Sequence, residues 1–403
     1  MRILFLALEP PYPPSKGHRL RTLAMLRVLV QAGHQVSVLG FAEEAEQAES
    51  SAYLRTLCRE VEFFPPPRRP AGRLRALCSV LPYGAWRFTS AILRSRVQQE
   101  LEAGRHDLVI CDGVYNTVNL PNKPAVAVLL NKDDAAYVIL QRYLELERNP
   151  IKALYGWLEY RKLRRWEGRA CANVTAVLAC SEADCQMLRL IAPHARLEIV
   201  PNVVDTEHYA PASGDDANTV LYVGALDWLP NRDAAEYFIT RIFPELRRLV
   251  PTARFVVAGR NPPADFRARW EHDHDIFFTG GLPDIRDAVQ PAAVCVVPLR
   301  IASGTRMKIL EAAAMGKAIV STTVGAEGLD LRNGREILVE DDPRAFAVAV
   351  AGLLRDPARR QELGAAARRR IESCYSFPVL RAALIATLLE FSNTAEQDVP
   401  LVS

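Results

Sequence analysis

No apolar run among the 403 residues approaches the roughly 20 that a membrane-spanning helix needs. The first apolar stretch, ILFLAL at 3–8, gives way at once to Glu9 and a proline cluster, so it is expected as a buried strand and not as a signal peptide. The eight cysteines include no Cys-x-x-Cys pair, and no histidine is spaced to join Cys180 and Cys185. That argues against a zinc site and for reduced thiols in a cytoplasmic protein. Neither sign of charge dominates: 50 Lys and Arg face 47 Asp and Glu, and a formal net charge of +3 lacks the electrostatic footprint of a nucleic-acid binder. No Gly-x-Gly-x-x-Gly follows the first strand of either half, which counts against an NAD-dependent oxidoreductase. There is no repeat at solenoid periods.

What is present is globular: 49% of residues are hydrophobic and 24% charged, and the length suits two domains, each with its own core. The first half alternates strand and helix. After residues 3–8 comes a helix at about 19–32, stopped by Gly33, then QVSVLGF at 35–41. Further strands are expected at 61–64, 107–112, 125–130 and 174–180. The second half repeats the scheme at 219–224, 254–259, 275–280, 293–299 and 318–322. These runs are apolar on both faces, as parallel strands covered by helices are. The alternation predicts an α/β protein with two doubly wound, Rossmann-like domains. A seam rich in Pro, Asn, Asp and Ser lies at 201–217, a last helix at 377–391, and a polar tail follows from Ser392.

The most informative stretch is GTRMKILEAAAMGKAIVSTTVGAEGL, residues 304–329. Gly304 and Thr305 are expected to open a helix that Ser303 caps, so that backbone N–H groups and the helix dipole favour an anion there. Arg306 and Lys308 add positive charge, and Arg306 suits a phosphate in bidentate fashion. Glu311 follows Lys308 by three residues on one helical face and could accept from two ribose hydroxyls. Gly316 ends the helix before a strand. Cations for a diphosphate beside a carboxylate for a ribose describe a nucleotide-sugar site. The plainer alternative is an amphipathic helix with an i,i+3 ion pair.

This stretch resembles the donor-site segment of the group 1, family 4 retaining glycosyltransferases of the GT-B fold. Other segments agree: ACSEADCQMLRLIAPHARLEIVPNVVDTEHY (179–209), VLYVGALDWLPNRDAAEYF (220–238), FVVAGRNPP, IFFTGGLPDI, CVVPLR, and near the start PPYPPSKGHRLRTLAMLRVLVQAGHQVSVL. The resemblance covers nearly the whole chain and is firmest at about 172–375. It implies an acceptor-side domain at 1–205, a nucleotide-sugar domain at 206–375, a helix at 376–392 that crosses back onto the first domain, and a loose tail at 393–403. The two Rossmann-like domains of that fold face each other across a cleft, and their closure brings donor and acceptor together. The implied reaction moves a sugar from a nucleotide diphosphate sugar to a polysaccharide, glycolipid or other acceptor, retaining and with no metal or other cofactor, since fixed cations can stabilise the leaving diphosphate.

Several positions depart from the family pattern. Of its Glu-x7-Glu pair only the second member stands here, as Glu311; Ser303 takes the first place. The Arg and Lys that follow the first strand of the second domain fall near Asp227 and Asn231, after Gly224, so positive charge is expected from Arg306 and Lys308, with Arg300 a further source. After strand 125–130, where the family often has a His, the chain reads Asn131-Lys132-Asp133-Asp134. Asp133 or Asp134 could act as a base toward an acceptor hydroxyl, hold a sugar hydroxyl, or cap the next helix. Asp112 is a second carboxylate expected to line the cleft. In the loop at Ser15–His18, Gly17 would let the backbone approach a diphosphate or the sugar, while His18 by itself suggests nothing. These departures keep a non-catalytic nucleotide-sugar-binding paralogue as the alternative reading.

Residues 65–96 carry seven Arg and no acid, with Leu74, Leu77, Cys78 and Leu81 at helical spacing and Tyr83, Trp86 and Phe88 after them. A second basic patch spans 161–166. Such segments suit peripheral contact with an anionic membrane at its inner face, or else pack their apolar side on the first domain.

Overall fold

The computed structural model describes residues 1–67, 72–211, 214, 216–270 and 272–397, and the side chains at 73–75 and 392–397 are left aside. Arg68 and Arg69 of the basic segment, residues 212, 213 and 215 of the seam, and the tail at 398–403 lie outside the described residues. The chain forms two compact units, Met1–Asn202 with Phe377–Ser403, and Val203–Ser376.

The first unit is built on seven parallel strands: β1 (Arg2–Ala7), β2 (Gln35–Phe41), β3 (Glu60–Phe64), β4 (Leu108–Asp112), β5 (Ala127–Asn131), β6 (Ala176–Ala179) and β7 (Leu197–Ile199), in the order β3-β2-β1-β4-β5-β6-β7. Strands β1 and β4 are almost wholly buried, which is why they read as unbroken apolar runs rather than alternating ones. The strand order reverses between β1 and β4. In open parallel sheets such a reversal leaves a crevice beyond the carboxyl ends of the two strands. The loop after β1, the helix Gly17–Gln31 that it feeds, and the end of β4 at Asp112 therefore come together.

The second unit repeats the plan with β8 (Asp216–Val223), β9 (Arg254–Ala258), β10 (Ile276–Gly280), β11 (Ala292–Val297), β12 (Ala318–Ser321) and β13 (Leu338–Val339), ordered β10-β9-β8-β11-β12-β13. Its reversal falls between β8 and β11, which sets Gly224 and the segment Arg300–Arg306 at one end of the sheet. Its core centres on stacked aromatics, with Phe238 and Phe255 ring centroids 4.3 Å apart.

Two helices depart from expectation in useful ways. The helix Met307–Ala314 begins three residues after Gly304, with Arg306 as its N-cap residue and no side-chain cap. Gly304 instead takes a positive φ of 81°, a conformation that ends any helical path through it, so neither Gly304 nor Thr305 opens the helix and Ser303 does not cap it. The last helix, Phe377–Gln397, runs past the expected 391, so residues 393–397 continue it rather than start a tail. It packs beside the helix Gly17–Gln31 and buries Leu380, Leu384 and Leu388 in a stripe of i, i+4 spacing. The stretch Pro357–Phe391 also contains an 18-residue window apolar enough to cross a membrane, which the absence of a long unbroken run had hidden, because Arg381 and Glu390 interrupt it.

Candidate functional site

Each unit gathers polar side chains at its own strand reversal. In the second, Lys308 in the first turn of Met307–Ala314 extends back to the start of the sheet. Its Nζ donates to Asn231 Oδ1 at 2.9 Å and to the Tyr222 hydroxyl at 3.1 Å, and it lies 4.4 Å from the centre of the Tyr222 ring. Asn231 is the position where the family resemblance puts a lysine, so here a lysine reaches that place from another element. Burial and the nearby Arg306 push the Lys308 ammonium down to about 7. Gly224 is required by this packing, since a Cβ there would stand 2.8 Å from Asn231 Cγ.

Glu311 is one turn further on and nearly buried. It does not pair with Lys308. Its Oε1 accepts instead from the Tyr209 hydroxyl at 3.3 Å, and burial raises its carboxyl to about 7. Arg306 differs from its expected part as an outward phosphate clamp. Its guanidinium folds onto the carbonyls of Ser303, Gly304 and Val324, because a buried guanidinium needs acceptors and the turn at Gly304 supplies them. It fixes the Ser303–Thr305 turn and acts on its surroundings through charge. Arg300 pairs with Asp233 at 2.6 Å and covers the Tyr237 ring.

In the first unit the centre is His18, in the opening turn of Gly17–Gln31. Its Nδ1 is 3.0 Å from Asp133 Oδ2 and its Nε2 is 3.0 Å from Asp112 Oδ2. Asp112 is fully buried at the end of β4 and accepts from the Thr22 hydroxyl at 2.9 Å and the Asn131 amide at 2.7 Å. It has no surface for a substrate, which corrects its expected place on the cleft wall. It is a support. Arg21 is buried as well, donating to Asn131, Asn202 and the Val200 carbonyl. Gly17 is the first residue of its helix.

Asp133 and Asp134 keep partial exposure. Neither caps the helix Ala136–Leu146. The N–H groups of Ala136 and Tyr137 are taken by Glu167, which also holds Lys132 at 2.6 Å in a buried ion pair. Imidazole and neighbouring cations hold the Asp133 carboxyl well below its usual range against the cost of burial, whereas burial and the Asp133 charge raise Asp134 to about 7. His18, Tyr209 and Tyr222 were missed in the sequence because their partners lie far away along the chain.

The basic segments divide. Tyr83 stacks on Trp86 and Phe88 packs on Phe41, so those aromatics serve the first unit's own packing. The exposed large apolar residues among the described ones are Leu77, Val80 and Ile92 in the first segment and, on the helix Pro150–Ala172, Ile151, Leu154, Trp157 and Leu158. Lys162 of that helix donates to the carbonyls of Ala76 and Leu77, which brings the two segments side by side.

Two doubly wound parallel sheets, each with its polar cluster at a strand reversal, are the architecture of the GT-B glycosyltransferases. The fold matches sucrose-phosphate synthase from Thermosynechococcus elongatus with a TM-score of 0.74 at 16% identity, over 98% of this chain and 100% of that one. It matches Anabaena HepE in complex with UDP and glucose with a TM-score of 0.70 at 15% identity, over 97% and 100%. The family model for glycosyltransferase family 4 matches residues 16–208, and that for group 1 glycosyl transferases matches 217–356. The chain belongs to this family and is a glycosyltransferase. A Klebsiella pneumoniae protein described as an uncharacterized 44.6 kDa protein in the cps region is 21% identical over 86% of this chain and 89% of its own length. The GDP-mannose-dependent alpha-(1-6)-phosphatidylinositol monomannoside mannosyltransferase of Mycolicibacterium smegmatis is 29% identical over 51% of this chain and 59% of its own.

Proposed function

We propose that this glycosyltransferase takes its sugar from a nucleoside diphosphate sugar bound on the second unit and passes it, with retention and without a metal ion, to a polysaccharide or lipid-linked glycan acceptor. The observation that carries the donor assignment is the presence of a desolvated, half-buried lysine, Lys308, and a buried carboxylate, Glu311, one turn apart on a helix. A diphosphate would restore the charge on Lys308, and the N–H groups around Ser303, Gly304 and Thr305 would donate to its other oxygens. A ribose would donate two hydroxyls to Glu311. As the bond from the anomeric carbon to phosphate oxygen breaks, negative charge grows where these donors converge. On the first unit, Asp133 in its ionised form would accept from a hydroxyl of acceptor or sugar. Solved HepE complexes hold UDP and UDP-glucose, which favours a donor of that class.

Thermal melting against nucleotides and nucleotide sugars, with and without magnesium, tests the donor. A ligand at a hundred times its dissociation constant adds about 2.7 kcal/mol and moves the melt by a few degrees. A shift with one nucleoside diphosphate, equal with and without magnesium, is the expected result. No shift with any of them would overturn the assignment, and activity unchanged in Glu311→Ala would mean that the site is elsewhere.

We also infer peripheral contact with an anionic membrane at the cytoplasmic face. The helix Pro150–Ala172 supports it: its two acids, Glu159 and Glu167, are buried, so every charge it shows to solvent is positive, next to exposed Ile151, Leu154, Trp157 and Leu158. Flotation with phosphatidylglycerol vesicles and release by salt are expected. Failure to float at low salt removes the inference.

A further inference from the structure

We propose that His18 is a positioning residue for the acceptor-side carboxylates, an imidazole that holds Asp133 ionised and in place and so leaves any proton of the Asp133–Asp134 pair on Asp134. The inference rests on the reading of Asp133 as the group that faces an acceptor or sugar hydroxyl.

The two carboxylates that flank His18 favour its protonated state. A neutral imidazole has one N–H, but both ring nitrogens here stand 3.0 Å from a carboxylate oxygen. The Nδ1 contact with Asp133 is a hydrogen bond, whereas Nε2 meets Asp112 at ion-pair distance without hydrogen-bond alignment; a ring held between two carboxylates favours the imidazolium, which only donates. Asp112 is committed as an acceptor, because its oxygens already receive the Thr22 hydroxyl and the Asn131 amide. Asn131 is in turn oriented by Arg21, whose Nε donates to its carbonyl oxygen at 2.8 Å. The anchoring side is therefore buried and saturated. Of the two carboxylates that contact His18, Asp133, with 30% of its side chain exposed, is the one with an edge to offer a ligand.

The charges around this group come from every neighbouring element. Glu9 follows β1 and is paired with Lys16 and Arg19. Arg21 shares the helix of His18, and Lys132 and Asp134 flank Asp133. Glu167 is spent on Lys132, while Asp184 adds a distant negative charge to Asp134. Among these, His18 is the cation that touches Asp133 directly. The two carboxylates raise His18 well above its ordinary value in spite of burial. Asp112 thus acts through His18 on Asp133, and Asp133 on Asp134.

The test is the pH profile of kcat at saturating donor for the full chain and for His18→Asn, His18→Lys and Asp133→Asn. Loss of the imidazolium should lift the acid limb by about one to three pH units, the effect of one adjacent opposite charge. His18→Lys, which keeps the charge, should bring the limb back, and KM for the donor should stay unchanged throughout. A His18→Asn limb that coincides with the wild-type one overturns the proposal. Full kcat in Asp133→Asn would instead overturn the reading of Asp133 itself and leave the clamp without a purpose. Nitrogen NMR on the unmodified protein is independent of any variant. Both ring nitrogens of His18 should carry protons at pH 7, and a neutral tautomer there overturns the proposal even if no variant folds.

Discussion

Lys308 and Glu311 both sit near 7 for the same reason acting in opposite directions, since burial disfavours the charged form of each, lowering the ammonium and raising the carboxyl. Bound diphosphate favours the ammonium, so above pH 7 binding must take up a proton, and affinity falls by up to about tenfold per pH unit. Bound ribose favours the carboxylate, so below pH 7 binding must release a proton, and affinity falls again. Nucleoside diphosphate affinity should therefore peak near pH 7. Calorimetry in two buffers of different ionisation heat should show net proton uptake at pH 8 and release at pH 6. Affinity that changes in one direction only from pH 5 to 9 would contradict this. Glu311→Gln should weaken binding by about tenfold or more, the loss of one charge-assisted hydrogen bond. At this scale the sequence was half legible. Lys308 and Glu311 stand out because one helical turn links them. The Arg306 guanidinium turned to the backbone because the glycine turn before it offers carbonyls, which no local pattern displays. His18 was illegible, since Asp112 and Asp133 reach it from β4 and the end of β5.

At the scale of elements, the helix Pro150–Ala172 has two jobs on two faces. Inward, Glu167 holds Lys132 in a buried ion pair and accepts from the open N–H groups of Ala136 and Tyr137 at the start of the preceding helix. Glu167→Ala would leave an unpaired buried ammonium and should cost about 3–5 kcal/mol, read as a lower urea midpoint with the slope unchanged. Outward, Arg161, Arg164 and Arg165 are exposed, and Arg161 covers the Trp157 ring at 4.9 Å. Changing these three to Glu should abolish vesicle flotation and leave the melting temperature within a degree or two. Strands were well legible here, because parallel strands covered on both sides are continuous apolar runs. Two short edge strands, Leu197–Ile199 and Leu338–Val339, were not, since half-buried edges of two or three residues carry no such run. Sequence periodicity also pointed to 65–96 as the amphipathic face, but its aromatics are used inside the first unit. Leu77, Val80 and Ile92 stay exposed there, and the larger exposed apolar group lies on the long helix.

At the scale of the molecule, each unit has its own core and its own polar cluster at its own strand reversal. The donor reading is confined to the second unit. Hydrogen exchange with a nucleoside diphosphate should therefore slow at 222–232 and 303–311 more than anywhere in β1–β7. Equal protection of both sheets would count against a donor site built on one unit. Two doubly wound domains were legible from alternation alone, because the period of strands and helices is a property of the whole chain.

The last helix has a consequence for synthesis. Leu380, Leu384 and Leu388 belong to the first unit's interior, yet they are made after the whole of the second unit. While the chain leaves the ribosome, the helix Gly17–Gln31 lacks part of its covering until the whole of the second unit has been made. The helix that covers part of the first unit is thus made after every strand of both sheets.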